Sequence, residues 1–183
     1  MRRDTIDLSA NWRIQLDPQD EGLEAGYWRA DYDDRRWRET SVPCSLDQAH
    51  PDLEWYLGAG WYRRRFHVPA EWKGRRIVLH FEGVNYHAAV WVNGSAERSA
   101  PAGRNEDGFL PFEVEVQDAA RYGEENVLVV RADNEARAGE APGQNVGWRP
   151  YGGILREVTL RATARCRVAR ARIVAEPAEK KAG

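Results

Sequence analysis

The feature that most constrains this chain is a period of two that recurs in short runs. In "NWRIQL", Trp12, Ile14 and Leu16 alternate with Arg13 and Gln15. In "WYRRRFHV", Tyr62, Arg64, Phe66 and Val68 alternate with Trp61, Arg63, Arg65 and His67. "RIVLHF" sets Ile77, Leu79 and Phe81 on one face, and "FEVEV" sets Phe112, Val114 and Val116 against Glu113 and Glu115. "ILREVTLRA" groups Ile154, Val158 and Leu160, with Leu155 and Arg156 out of step. Successive side chains of a strand point to opposite faces, so these runs read as half-buried antiparallel strands. Turn-forming stretches separate them: "VPAEWKG", "VNGS", "RYGEEN" and "EAPGQN". No long helical period intervenes, and "DYDDRRW" (31–37) reads as one helical turn or a loop. The expected fold is all-β and mostly antiparallel, a sandwich or jelly roll.

Two runs are apolar on both faces, "HAAVWV" (87–92) and "VLVVRA" (127–132). One face of a sandwich strand ordinarily meets water, so something must cover the second. The sequence offers the stretches 40–60 and 134–149 for this, or another domain or subunit. Asn93-Gly94 after "AVWV" is a hairpin signal. Gly152-Gly153 permits positive φ and close backbone approach, pinning the preceding aromatic stretch "GWRPY" to the end of a sheet.

Composition removes several function classes. A formal charge of −2 over 183 residues speaks against a nucleic-acid partner. No apolar run is long enough to span a membrane, and no apolar stretch follows Arg2-Arg3 as a secretory leader requires, so the expected location is cytoplasmic. Cys44 and Cys166 are then expected as free thiols. They are too few for a cysteine-rich metal site, and neither a metal nor a cofactor is expected. Nucleophile-elbow and phosphate-cradling motifs are missing. With 29 Asp and Glu residues, some carboxylate pairs will lie at glycosidase spacing by chance. Glu54 with Asp47, and Asp133 with Glu135, are such pairs, and they read as solvated loop charge. His50, His67, His80 and His87 read as packed or surface histidines.

Four motifs occur in a fixed order: "WYRRRFHVP", "LHFEGVNYHAAVWVNG", "GFLPFEVEV" and "YGGILREVTL", preceded by "DYDDRRWRETSVP". Together, from about Leu8 to Leu160, they resemble the N-terminal sugar-binding domain of glycoside hydrolase family 2, which includes β-galactosidases, β-glucuronidases and β-mannosidases. The resemblance implies a jelly-roll β-sandwich like that of galactose-binding domains over residues 1–164. It also implies that residues 165–183 begin a following immunoglobulin-like domain, since Arg167 to Pro177 is similar to that domain's first strand; a disordered tail is the alternative. In the family a (β/α)8 barrel of about 250 residues carries the catalytic carboxylates. The chain is therefore expected to have no catalytic residues of its own and to be inactive alone, with a carbohydrate as ligand and a downstream immunoglobulin-like domain and barrel, or another subunit, as partners. A free-standing lectin-like module and a protein-interaction sandwich are the alternatives.

By the same resemblance, two loops reach a sugar: "VPCSLDQ" (42–48), with Ser45 and Asp47, and "GQNVGWRPY" (143–151), with Gln144, Asn145, Trp148, Arg149 and Tyr151. Relatives often carry a carboxylate in the second loop, where this chain has Gln144 and Asn145. Amides both donate and accept, which suits vicinal hydroxyls, and Trp148 and Tyr151 can stack on a ring face. They can equally plug the end of the sandwich.

Overall fold

A computed structural model describes residues 4–49, 56–135, 151–166, 168 and 172. The described residues form strands β1 (Asp4–Asp7), β2 (Trp12–Asp17), β3 (Arg38–Thr40), β4 (Cys44–Ser45), β5 (Ala59–His67), β6 (Arg76–Phe81), β7 (Val84–Asn85), β8 (His87–Val92), β9 (Gly103–Asn105), β10 (Phe112–Glu115), β11 (Glu125–Asp133), β12 (Gly153–Ile154) and β13 (Val158–Thr163), with one turn of helix, α1 (Leu46–Ala49). They make a four-stranded sheet ordered β1-β13-β6-β10, a six-stranded sheet ordered β3-β2-β5-β11-β8-β9, and a three-stranded ribbon ordered β4-β12-β7. All pairings within these sheets are antiparallel. The all-β sandwich expected from the alternation is therefore the fold, of the jelly-roll kind.

The core lies between the two larger sheets. Ile14, Tyr62, Val90, Leu128 and Val130 from the six-stranded sheet meet Ile77, Leu79, Phe81 and Leu160 from the four-stranded one, all buried in one cluster. Phe81 stacks on Phe112 at 4.8 Å between centroids. Each fully buried side chain of this size contributes about 1.5–3 kcal/mol. The outer face of the four-stranded sheet is charged: Arg76 binds Glu113 and Glu115, while His80 lies 2.8 Å from Glu82 and 3.5 Å from Glu113.

The second face of the six-stranded sheet differs from expectation. Trp61, Ala89, Trp91, Val127 and Val129 lie there, and the chain itself covers them with Tyr27, Trp28, Ala30, Tyr32 and Trp37. The described cover comes from residues 22–37, a stretch that the sequence reading did not offer for it. Among the described residues, the second face of β8 and β11 is thus packed against this segment. The acidic run 31–37 misleads because one of its charges points inward. Asp34 accepts from Nε of Arg63 at 3.0 Å, and Arg63 is buried in the middle of β5. Alternation correctly groups Arg63 with Trp61; that half of the face is simply dry.

Two other local expectations change. "ILREVTLRA" is two strands rather than one: β12 belongs to the ribbon and β13 to the four-stranded sheet, and the lost parity at Leu155-Arg156 is the crossing between them. Asn93 does adopt φ 50°, but β8 next pairs with β9, so the turn opens a longer loop. The Asn93 side chain accepts from Val127 N and donates to Ala119 O and Asn126 Oδ1. Gly94 sits where a Cβ would lie 2.5 Å from the Trp28 carbonyl oxygen. The strand expected over Val168, Ala169, Ile173 and Val174 falls almost wholly outside the described residues; Val168 is exposed and in no strand. Cys44 and Cys166 are free thiols. Among the described residues no helix is long and apolar enough to cross a membrane.

Candidate functional site

The three-stranded ribbon gathers one end of the sandwich. Gly153 pairs with Ser45 on one side and Asn85 on the other, and Ile154 with Cys44 and Val84. Three segments distant in sequence are thereby fixed edge to edge: 44–49, 82–86 and 151–154. Gly153 has φ 118°, and a Cβ there would collide with the Tyr62 hydroxyl and lie 2.9 Å from Cys44 O. A Cβ on Gly152 would collide with Asn134. Both glycines are therefore required by close approach, as the sequence suggests. Leu46 N donates to Gly152 O at 2.8 Å, and the Tyr62 hydroxyl donates to Cys44 O at 3.0 Å. Burial raises the Tyr62 phenol well above its ordinary value, so it stays a protonated donor.

The first predicted loop is folded by local hydrogen bonds. Ser45 N donates to Gln48 Oε1 at 3.1 Å, and Gln48 N donates to Ser45 Oγ at 3.3 Å, a reciprocal capping box at the start of α1. Ser45 is buried and its hydroxyl is engaged in this cap; Asp47, one turn along, is half-exposed. Across from it, Asn134 clamps the chain near Tyr56: its Oδ1 accepts from Gly58 N at 2.9 Å and its Nδ2 donates to Tyr56 O at 2.8 Å. Tyr56 donates to Ala59 O at 2.7 Å and accepts from Asp17 N at 3.3 Å, and burial pushes its phenol up to about 12.

Tyr151, the last residue of the second predicted loop, is exposed on this end. Its carbonyl accepts from Nδ2 of the buried Asn85 at 2.7 Å. Its ring stands edge-on to Phe109 at 6.1 Å, and Phe109 in turn to Tyr86 at 6.3 Å. The structure thus brings Ser45, Asp47 and Tyr151 to one end of the molecule. Gln144, Asn145, Trp148 and Arg149 lie outside the described residues, as does Glu54. Sequence reasoning missed Asn85 and Phe109. The available signal was a glycine before an aromatic in "EDGFLP", a turn between two strand patterns. Gly108 packs so closely that a Cβ would lie 2.6 Å from Asn85 Oδ1.

The carboxylates of this end have structural partners. Asp133 pairs with Arg131 at 3.1 Å and accepts from Glu135 N at 2.9 Å. Asp17 accepts from Trp61 Nε1 at 2.8 Å and from the amides of Glu21 and Gly22, both at 2.9 Å. Every described carboxylate with a resolved shift, namely Asp31, Asp33, Glu82, Glu97 and Glu113, is held below its ordinary range. A glycosidic general acid needs the opposite displacement. No group of three or more His, Cys, Asp or Glu among the described residues is arranged to hold a metal ion.

Known proteins share this fold. The family model for "Glycosyl hydrolases family 2, sugar binding domain" matches residues 4–164. A β-galactosidase of Thermoanaerobacter pseudethanolicus is 31% identical over 88% of this chain and 21% of its own length. A β-glucuronidase of Paenibacillus borealis is 33% identical over 73% of this chain and 22% of its own length. Among solved structures, a β-glucuronidase from an uncultured Clostridium sp. superposes with a TM-score of 0.76 at 29% identity, over 89% of this chain and 29% of that one. A β-glucuronidase from Ruminococcus gnavus in complex with D-glucuronic acid gives 0.76 at 25% identity, over 87% and 29%. The chain spans only about a fifth of the length of these curated relatives. With its sandwich, its glycine-pinned ribbon and a family match over nearly all its strands, the chain belongs to glycosyl hydrolases family 2, as that family's sugar-binding domain.

Proposed function

We propose that this chain serves as the non-catalytic, carbohydrate-binding and scaffolding module of a glycosidase that hydrolyses O-glycosidic bonds, with the bond-breaking carboxylates held outside these 183 residues. The observation that carries this is the match itself: it covers a sugar-binding domain and only a fifth of relatives named β-galactosidase and β-glucuronidase. Asp47 and Tyr151 are the described polar and aromatic residues that face a sugar, and Ser45 acts by holding the turn that presents Asp47. Gln144, Asn145, Trp148 and Arg149 complete the set. An immunoglobulin-like domain and a barrel, over 165–183 and beyond, are the partners.

The test is turnover of p-nitrophenyl β-D-galactoside and β-D-glucuronide by the purified chain. The expected result is a rate indistinguishable from buffer. Hydrolysis that co-purifies with the chain and survives removal of host enzymes overturns the proposal. A free-standing lectin-like module is the second reading, favoured by the exposure of Tyr151 and Phe109. It differs in requiring tight glycan binding by the chain alone.

A further inference from the structure

We propose that Phe109 and Tyr151 form a stepped aromatic platform that takes the apolar C–H face of a pyranose ring, with Phe109 a sugar-contacting residue that no sequence motif assigns. This rests on the sugar-binding reading above and adds a residue and a contact mode to it.

The platform is assembled from two loops that approach only in the folded chain. Tyr151 precedes the ribbon strand β12, and Phe109 lies between β9 and β10. Their rings meet at 6.1 Å with an interplanar angle of 72°, and Phe109 leans on buried Tyr86 at 67°. Edge-to-face contact of this kind fixes ring orientation while leaving one ring face open. Phe109 is 37% exposed, Tyr151 47% and the adjoining Leu110 59%.

Exposure here is held in place. Phe109 has φ 67°, an uncommon conformation for a bulky residue without a compensating side-chain bond. The turn is closed by Leu110 N donating to Asp107 O at 3.1 Å, and Gly108 lies flush against Asn85. Asn85, buried, also holds the Tyr151 carbonyl at 2.7 Å. One buried side chain therefore braces both halves of the platform.

Area decides the occupant. Full side chains of this size present roughly 200 Å² each. At the observed exposures, Phe109, Leu110 and Tyr151 together offer about 300 Å². A stable protein interface needs about 800 Å² from each partner. The platform is too small for that and suits one or two sugar rings. Glu106 and Asp107, both exposed, precede Phe109 in the same turn. Carboxylates beside an aromatic face can accept from ring hydroxyls while the C–H face stacks.

The experiment uses the whole chain and ligand-detected saturation-transfer NMR, with methyl β-D-galactopyranoside and methyl β-D-glucuronide as probes up to tens of millimolar. Phe109→Asn is the informative variant, because Asn accepts the left-handed backbone and removes the ring without forcing the turn to refold. Phe109→Trp restores a larger face. The expected result is millimolar binding of at least one probe, weakened about fivefold to tenfold by Phe109→Asn and recovered by Phe109→Trp, with the melting temperature of Phe109→Asn unchanged or raised. If a probe binds and both Phe109→Asn and Tyr151→Ala leave its affinity unaltered, the platform is refuted while the sugar-binding reading stands. If neither probe binds the wild-type chain, the platform is refuted, while the non-catalytic module reading is decided by the turnover test. If the wild-type chain dimerises and Phe109→Asn makes it monomeric, the patch is a self-interface and the platform is refuted.

Discussion

Replacing Arg63 by Met removes the most deeply buried charged group that fastens residues 22–37 to the sheet beneath them. Arg63 is 1% exposed and its guanidinium fork is filled. Nε donates to Asp34 Oδ2 at 3.0 Å, Nη1 to Tyr27 O and Arg29 O at 2.9 Å, and Nη2 more weakly to Ala30 O and Tyr32 O at 3.4 Å. The rings of Tyr32 and Trp37 lie 5.8 and 5.7 Å from the guanidinium carbon. Three short charge-assisted bonds at about 1.5–3 kcal/mol each would sum to about 5–9 kcal/mol. That sum overstates the loss, since one cation makes all three bonds and its removal also relieves its desolvation. Burial does oppose the charge, holding the Arg63 pKa below its ordinary value despite Asp34. Met keeps most of the packing, but it leaves Asp34, whose side chain is 14% exposed, with only the longer pairing to Arg13 at 3.7 Å. The balance matches the usual cost of removing one partner of a buried pair, about 3–5 kcal/mol. For a domain of this length each kcal/mol moves the melting temperature by about 2–4 °C, so a fall of roughly 6–20 °C is expected. Urea unfolding followed by tryptophan fluorescence suits the question, because Trp37, Trp61 and Trp91 all lie in the affected layer. Amide exchange should quicken first over residues 22–37. The double variant Arg63→Met with Asp34→Leu should recover part of the loss, since no unpaired charge remains. A single variant within about 1 kcal/mol of wild type, with unchanged exchange over 22–37, would refute the view that this arginine holds the cover on.

Gly153→Ala places a methyl group at φ 118° against the Tyr62 hydroxyl. Strain and overpacking of about 1–3 kcal/mol each should lower the urea midpoint and, because Gly153 joins both site loops, abolish sugar binding; a soluble variant with wild-type midpoint and affinity would contradict this. Asn93→Ala removes three buried hydrogen bonds and puts alanine at φ 50°, for an expected loss of about 2–4 kcal/mol by calorimetry. Acid should weaken the charged outer face. Glu82 is lowered first by its hydrogen bond with His80 and then by Arg161, while Glu113, which burial pushes up, is brought down on balance by Arg76 and then His80. Carboxylates depressed in the folded state add stability that is present above their unfolded value of about 4.3 and is lost as pH falls through the folded value. The urea midpoint should therefore decline below about pH 4.3, and Glu82→Gln with Glu113→Gln should flatten that decline; an unchanged acid limb would count against it.

The sheets were legible in the sequence because a strand buried on one side writes its burial directly as alternation. Trp12, Ile14 and Leu16, or Phe112 and Val114, need only period two to be placed. The cover over the second face was not legible, because its adhesion rests on backbone carbonyls of residues 27–32 converging on one guanidinium, and carbonyls leave no trace in residue type. For the same reason Arg63 looks in sequence like its exposed neighbour Arg65. At the candidate site, Gly152-Gly153 announced a close approach, whereas Asn85 and Phe109 matter through partners more than 20 residues away. Ser45 shows the reverse case. Its polarity suggested a ligand contact, yet S-x-x-Q is also the signature of a capping box, and in the structure the hydroxyl and Gln48 are bonded to each other's backbone amides.

The ribbon that gathers the site has two residues per strand, far too little to hold together by its own pairing. What holds it is the packing of its glycines on the core. Gly153 lies against Tyr62, which points inward from β5, and Leu46 of the first loop is fully buried beside Gly60. The opening of the first site loop is therefore coupled to disturbance of the sandwich, and cannot cost less than the loss of these contacts. A loop so tied is pre-formed, and a pre-formed site spends little binding energy on ordering. This suits the proposed role of presenting a few side chains to a sugar. The glycines that looked like simple turn-formers are thus the link through which core stability sets the geometry of the binding end.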